Sequence, residues 1–194
     1  MSPPVADSRK NRGPLLLLLF LFMAPLACAF WLYYGSNWRP SLHTNHGALI
    51  EPVVHLAAVP VAGTATTAFT GKWSLLVVGA GESGCDANCR ATLVYARQTW
   101  LSLGNLAPRV QRVLLAGVGC CDPAYLRSEH DGLSVVQGVD SSAAKLLPVI
   151  PRPHDHAIFV VDPLGNLMMR YDVRQDPKGL REDLKKLLEL SHIG

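Results

Sequence analysis

The sequence lacks a cluster of lysine and arginine residues interleaved with aromatic side chains, which is the pattern of a nucleic-acid-binding surface. Its formal net charge is only +3, so the composition also indicates no nucleic-acid partner. The chain contains no internal repeat and no low-complexity tract, which excludes repeat architectures. With 49% hydrophobic residues, the 194-residue chain can build one compact domain and leave about forty residues for another purpose.

A long apolar run lies near the N-terminus, from Pro14 to Tyr34. At about 1.5 Å per helical residue, this run is long enough to cross the hydrocarbon core of a membrane. Only Arg39 follows it closely, whereas three basic residues precede it: Arg9, Lys10 and Arg12. Because basic residues stay on the cytoplasmic side, the sequence predicts a cytoplasmic start, a single transmembrane helix and an exported remainder.

Two other interpretations of this segment stay open. The tripeptide Ala27-Cys28-Ala29 resembles a signal-peptidase site, but apolar and aromatic residues continue beyond it, which favours a retained anchor. Cys28 also suggests a lipoprotein, yet Pro25 stands where a lipobox has leucine. The preferred organisation is a cytoplasmic N-terminus over residues 1–13, a transmembrane helix over 14–34, a linker over 35–44 and one domain over 45–194.

The pattern of the domain alternates strands and helices. Segments 46–58 and 65–70 carry weak strand signals. Clearer strands are predicted over 72–78, 109–118, 156–161 and 167–171, and helices over 88–103, 141–147 and after Asp176. A loop that can include a helical turn is predicted over 122–133. This order of β-α-β, short helix, β-hairpin and final helix predicts an α/β, thioredoxin-like domain with a central mixed sheet flanked by helices.

Two cysteines, Cys85 and Cys89, form a CxxxC motif where the first clear strand gives way to a helix. The spacing puts both sulfurs on one side of the first helical turn, and the positive helix N-terminus favours thiolate over thiol. Two thiolates there can act as a redox pair or bind a soft metal such as Cu(I) or zinc. The alternative is a structural disulfide, which would stabilise weakly because it closes a very small loop.

Two histidines, His154 and His156, lead into the strand that is predicted to lie beside the cysteine turn. Imidazole commonly joins thiolates around a soft metal, so either histidine is a candidate third ligand. The alternative for each is a solvated loop histidine, which is also the prediction for His46 next to the linker.

Cys120 and Cys121 follow the next strand. Adjacent cysteines rarely bridge each other without a strained peptide, so a structural role is favoured for them. If their strand end faces the CxxxC loop, one of them becomes a candidate resolving thiol or copper ligand.

The residues at these positions resemble a known family. Gly71-Lys72-Trp73, an apolar strand, the CxxxC motif and a loop histidine before residues 158–165 resemble the Sco/SenC family of membrane-anchored cytochrome oxidase assembly proteins. Residues 162–171, which read DPLGNLMMRY, more closely resemble a short Sco-like group of proteobacterial transmembrane proteins associated with cytochrome oxidase biogenesis. The resemblance covers residues 45–194.

The resemblance implies a function and a ligand set. In Sco-like proteins two cysteines and one histidine bind copper destined for the copper centre of oxidase subunit II, or the cysteines reduce those of that subunit. Cys85 and Cys89 match the pair. His154 matches the histidine when counted back without gaps from Asp162, and His156 is the substitute because it fits only with a small shift. Asp86 and Arg90 stand where the family usually has proline.

Three hypotheses follow. The first is a Cu(I)-delivering assembly factor whose partner is cytochrome oxidase subunit II or another respiratory assembly protein. The second is a thiol-disulfide oxidoreductase in which Cys85 attacks a partner disulfide and Cys89 resolves the intermediate. The third is a docking scaffold without chemistry. For all three, the resemblance implies a single-pass protein of the bacterial inner membrane with a periplasmic domain and a cytoplasmic N-terminus.

Overall fold

The structure is a computed structural model, and it describes residues 12–35, 44–61, 66–79, 86–116, 122–137, 145, 147–150, 156–176 and 178–194. The chain divides into two compact units, Met1–His43 and Thr44–Gly194.

The first unit contains one helix, α1, over Gly13–Gly35. None of its side chains is buried, and it contains no acidic or basic residue in its first or last turn. Among the described residues it is the one helix long and apolar enough to cross a membrane. The predicted apolar N-terminal helix is therefore confirmed, with bounds one residue longer at each end than predicted.

The second unit is built on a six-stranded mixed sheet with the order β1-β8-β7-β4-β5-β6. The strands β4, β5 and β6 are parallel, whereas β7, β8 and β1 add antiparallel to their neighbours. The bounds of the six strands are β1 Ala48–His55, β4 Trp73–Gly79, β5 Val110–Ala116, β6 Leu133–Gln137, β7 Ala157–Val161 and β8 Asn166–Asp172. Two short strands, β2 Val59–Pro60 and β3 Thr67–Ala68, pair separately.

The central position of β4 in the sheet explains its apolar sequence. All seven of its residues are buried, because the sheet is covered on both faces. One face packs Leu75 and Val77 against Leu93 and Leu184 of the helices. The other face packs Leu76 and Val78 in a cluster with residues of the β2–β3 region. The predicted α/β, thioredoxin-like architecture with a central mixed sheet is confirmed.

The described residues of this unit form three α-helices: α2 over Ala87–Leu101, α3 over Pro123–Glu129 and α4 over Gly179–Leu190. The helical turn predicted within the loop over 122–133 is the longer helix α3, which Asp122 caps by accepting the N–H of Ala124 at 2.9 Å. Asp176 accepts the N–H groups of Lys178 and Gly179, as capping predicts. Most of the helix predicted over 141–147 lies outside the described residues, which resume in a 3-10 helix over Leu147–Val149.

A buried carboxylate ties the beginning of the domain to its last helix. Asp183 of α4 is 6% exposed and accepts the backbone N–H groups of His46 (2.6 Å) and Gly47 (3.1 Å) and the hydroxyl of Tyr171 (2.8 Å). Its other oxygen lies 3.0 Å from Nδ1 of His46. A Cβ at position 47 would collide with the ring of Tyr171, so this close approach requires glycine. His46 is exposed, as its predicted solvation requires, and its ring is also bonded to Asp183.

The charges in this cluster support one another. The hydrogen bond from His46 to Asp183 raises the pKa of the imidazole. Burial would raise the pKa of Asp183, but the hydrogen bonds from His46, Tyr171 and Gly47 outweigh it and hold that pKa below its ordinary value. Burial, together with the bond to Asp183, raises the pKa of Tyr171, so its hydroxyl stays protonated and donates.

We expect His46→Gln to flatten the pH dependence of stability from the ordinary histidine pKa of about 6.5 upward. Since the pKa of His46 is raised in the folded state, its charge contributes fully below the ordinary histidine value and the contribution is lost as pH rises through the raised pKa. The depressed pKa of Asp183 acts oppositely: its contribution is present above the ordinary aspartate value and is lost as pH falls through the lowered pKa. Urea midpoints of the full chain in detergent micelles, measured across this range, check the expectation. His55→Gln is the matched control, because His55 lies exposed at the end of β1. Equal slopes of stability against pH for the wild type and His46→Gln would contradict the expectation.

Candidate functional site

Three chain segments leave or join the sheet at the same edge. The last residues of the parallel strands β4 and β5, Gly79 and Ala116, are register partners. Strand β7 runs antiparallel to β4, with Ile158 opposite Val77, so its first residue starts at this edge. The candidate residues Cys85, Cys120, Cys121 and His154 belong to the segments that follow Gly79, follow Ala116 and precede β7, and they lie outside the described residues.

Cys89 is the candidate residue whose position is described most fully. It lies in the first turn of α2, and its backbone N–H donates to Oδ1 of Asp86 at 2.7 Å. Asp86 is thus the N-cap of the helix. The Cys89 side chain is 2% exposed and packs in the apolar cluster that includes Leu93. The helix start therefore holds one thiol rigidly on the inner side of the turn.

His156, the substitute ligand, lies directly before β7. Its carbonyl oxygen accepts the N–H of Val173 at 3.1 Å, and the residue is half-buried. It therefore lies at the same edge as the end of β4. Within the part of the chain that the structure describes, no three histidine, cysteine, aspartate or glutamate side chains cluster as metal ligands; of the three ligands carried over, this part includes Cys89 alone.

Sequence reasoning missed a polar chain that starts beside Cys89. The guanidinium of Arg90 lies 4.8 Å from the ring centroid of Tyr125 on α3, close enough for a cation–π interaction. The Tyr125 hydroxyl lies 3.1 Å from Nε2 of His130. Burial is the main cause that raises the pKa of Tyr125, whereas the charge of Arg90 lowers it. Because residues 122–133 were predicted to be a loop, no periodic signal placed Tyr125 against α2.

Arg112 of β5 is a second buried cation in this region, and its charge acts on His130. The guanidinium of Arg112 lies 5.0 Å from the ring centroid of Trp100, and its Nη2 donates to the carbonyl of Asp131. Burial, with Arg112 and Arg97, lowers the pKa of His130, so this imidazole is neutral near neutral pH. Nδ1 of His130 and Nη1 of Arg112 are both buried and have no hydrogen-bond partner among the described residues. Polar contacts thus help to hold α3 against α2 and β5.

This arrangement combines a buried thiol at a helix N-terminus with a neighbouring cation held by an aromatic ring. The helix dipole favours negative charge at its start, and a thiolate there can serve as a soft-metal ligand or as a thiol that attacks a disulfide. The second thiol and the imidazole decide whether the site binds a soft metal or attacks a disulfide.

Comparison with known proteins gives the family. The family described as transmembrane-like, thioredoxin-like, C-terminal domain matches residues 73–191. A search of curated protein sequences gives no match.

Solved structures share the fold. Copper-bound ScoI of Arabidopsis thaliana superposes with a TM-score of 0.52 at 15% identity, covering 75% of this chain and 99% of that one. Copper-bound yeast Sco1 superposes with a TM-score of 0.52 at 19% identity, covering 79% and 96%. A thioredoxin-like superfamily protein gives 0.50 at 13% identity, covering 71% and 97%. At these identities the likeness shows the fold, and because the family match spans more than half of the 194 residues, the chain belongs to the transmembrane-like, thioredoxin-like C-terminal domain family.

Proposed function

We propose that this protein is a Sco-like assembly factor for cytochrome oxidase that carries Cu(I) as its cargo. Cys85, Cys89 and His154 hold the ion, with His156 as the substitute for His154. The recipient is the copper centre of oxidase subunit II or another respiratory assembly protein. Release takes place by ligand exchange, in which donors of the recipient replace the thiolates one at a time.

The observation that carries this proposal is the meeting of three segments at one edge of the sheet. Gly79 and Ala116 lie side by side at the ends of parallel strands, and the chain that holds His154 rejoins the sheet beside them. Two thiolates and one imidazole form a donor set that selects Cu(I) over hard cations. The copper-bound Sco structures with the same fold support the same cargo.

The burial of Cys89 supports different roles for the two thiols. Since Cys89 is 2% exposed and its backbone N–H is bonded to Asp86, it stays in place during exchange. Cys85 precedes the helix cap, so it is the thiol that approaches the partner first.

We also propose the location that the sequence predicts. The apolar helix Gly13–Gly35 anchors the protein in the bacterial inner membrane, with the first residues in the cytoplasm. The domain from residue 45 onward then lies in the periplasm, where its partners expose their copper sites.

The second candidate function is a thiol-disulfide oxidoreductase, and the same burial of Cys89 favours it. The Cys85 thiolate attacks a partner disulfide, forming a mixed disulfide and releasing one partner thiolate. The Cys89 thiolate then attacks the Cys85 sulfur, releases the second partner thiolate and leaves a Cys85–Cys89 disulfide. An external dithiol must reduce that disulfide before the next cycle.

An anaerobic Cu(I) titration of the reduced full chain in detergent micelles, against a strong competing chelator, tests the first function. We expect one tight equivalent, weakened in His154→Ala and unchanged in His55→Ala, which removes an exposed imidazole. Failure to compete with the chelator would rule out copper delivery. Turnover of a cysteine-containing partner peptide would then favour the oxidoreductase, and the absence of both activities would leave the docking scaffold.

A further inference from the structure

An apolar pocket of about 200 Å³ opens on the second unit, away from the thiol site. It lies against β1, β8 and α4, and its apolar lining consists of Leu49, Met168, Met169, Leu187 and Leu190. Leu49 is 44% exposed and Leu190 is 71% exposed. Large apolar side chains around an open apolar pocket indicate a surface that meets another apolar phase.

The exposure of Leu190 is a fixed feature of the fold. Arg109 donates hydrogen bonds to the carbonyl oxygens of Leu188 at 2.6 Å and of Ser191 at 2.8 Å. The same guanidinium bonds to the carbonyls of Ile193 and Gly194. These charge-assisted bonds cap α4 at its C-terminus and hold its last turn, so Leu190 is kept at the rim of the pocket.

A short stretch of sequence separates this pocket from the candidate membrane span. Thr44, the first residue of the second unit, is part of the pocket lining, and its hydroxyl lies 3.3 Å from Nζ of Lys186. Residues 36–43 separate Thr44 from the end of α1 at Gly35. At about 3.6 Å per residue, this linker can extend no further than roughly 30 Å. The apolar phase within reach of the pocket is therefore the bilayer that holds the anchor.

We propose that this pocket docks the domain on the membrane surface. Leu49 and Leu190 enter the boundary between headgroups and acyl chains, and an acyl segment occupies the pocket between α4 and β8. Lys186 at the rim places its ammonium group among the lipid phosphates while its methylene stem covers apolar surface. Docking limits the rotation of the domain, so the sheet edge with the thiol site keeps one orientation toward partners in the same membrane.

Paramagnetic lipids test this proposal in the intact protein. The full chain carries four methionines, so methyl-labelled methionine in nanodiscs of mixed anionic and zwitterionic lipid gives a simple spectrum. We expect lipids spin-labelled near the headgroup end of the acyl chain to broaden the Met168 and Met169 signals several-fold. Met23, within α1, serves as the positive control. Leu190→Glu should remove the broadening at Met168 and Met169 but not at Met23.

A matched variant and an unfolding measurement are the controls for this test. Leu164→Glu changes another exposed leucine, 63% exposed in the turn between β7 and β8, and should leave the broadening unchanged. Urea unfolding of both variants shows whether each retains the fold. Undisturbed Met168 and Met169 signals in folded wild-type protein would overturn the proposal and direct attention to a protein partner for the pocket. Copper binding should be equal in wild type and Leu190→Glu, so this test and that of the proposed function fail independently.

Discussion

Replacing Cys89 with serine is expected to abolish tight Cu(I) binding. The substitution removes one of two thiolates while leaving a side chain of similar size at the start of α2, where Asp86 still caps the helix. A serine hydroxyl is a hard donor and does not substitute for a thiolate on Cu(I). Removal of a residue that only supports a metal ligand lowers the metal affinity roughly 10- to 100-fold. Because Cys89 is proposed as a ligand itself, we expect a larger fall in the Cu(I) affinity. Competition with a chelator under anaerobic conditions measures it.

The matched control is Cys28→Ser, because Cys28 lies exposed on α1 in the first unit. This variant should bind copper as the wild type does. Cys85→Ser should behave like Cys89→Ser, since two-thiolate binding requires both residues. If Cys89→Ser keeps the wild-type affinity, copper is held elsewhere or by other thiols, and the candidate pair would then be a redox pair or a structural bridge.

The second large effect is expected for Asp183→Ala, which should lower the free energy of unfolding by about 3–5 kcal/mol. The substitution leaves the Tyr171 hydroxyl and the N–H groups of His46 and Gly47 without the acceptor that now lies 2.6–3.1 Å from them. Buried donors that lose their partner cost about 1–3 kcal/mol each, partly relieved where water enters. Urea unfolding of the full chain in detergent micelles measures the change.

Glu182→Ala is the control for this prediction. Glu182 neighbours Asp183 on α4 and its carboxylate lies 3.7 Å from Nε2 of His46, but its side chain is 57% exposed. An exposed ion pair of this kind contributes at most about 1 kcal/mol. We therefore expect a small effect from Glu182→Ala. A loss for Asp183→Ala no larger than for Glu182→Ala would show that the beginning of the domain is held by packing rather than by this carboxylate.

Short-range patterns account for the parts of the fold that were predicted. Every residue of β4 is buried, which favours apolar side chains along the whole strand. This continuous apolar run is therefore enough to predict a buried strand. The hairpin turn is equally local: Asp162 accepts the N–H groups of Leu164 and Asn166 at 2.9 and 2.8 Å, so the side chain that favours the turn also satisfies it. Such elements are predictable because their stabilising contacts lie within a few residues.

Elements that depend on distant partners were not predictable in the same way. Strand β6, over Leu133–Gln137, has only one fully buried residue, so its sequence carries a weak alternation signal. It forms because β5 offers a free edge for parallel pairing. Strand β1 pairs with β8, more than a hundred residues further along the chain. These strands depend on ladder hydrogen bonds whose partners local propensity does not specify.

The candidate site divides in the same way. The CxxxC spacing and the helix that follows it are local, so the sequence alone predicts Cys85 and Cys89 as candidates for soft-metal or thiol chemistry. The sequence also determined by itself the apolar N-terminal helix, since its length and composition are local features. Only the tertiary structure decided that Tyr125 lies against Arg90 of α2, that Asp183 holds residues 46–47, and that an apolar pocket opens beside Thr44. These contacts join residues far apart in sequence, and their stabilisation arises from burial, which exists only after the sheet and its helices have assembled.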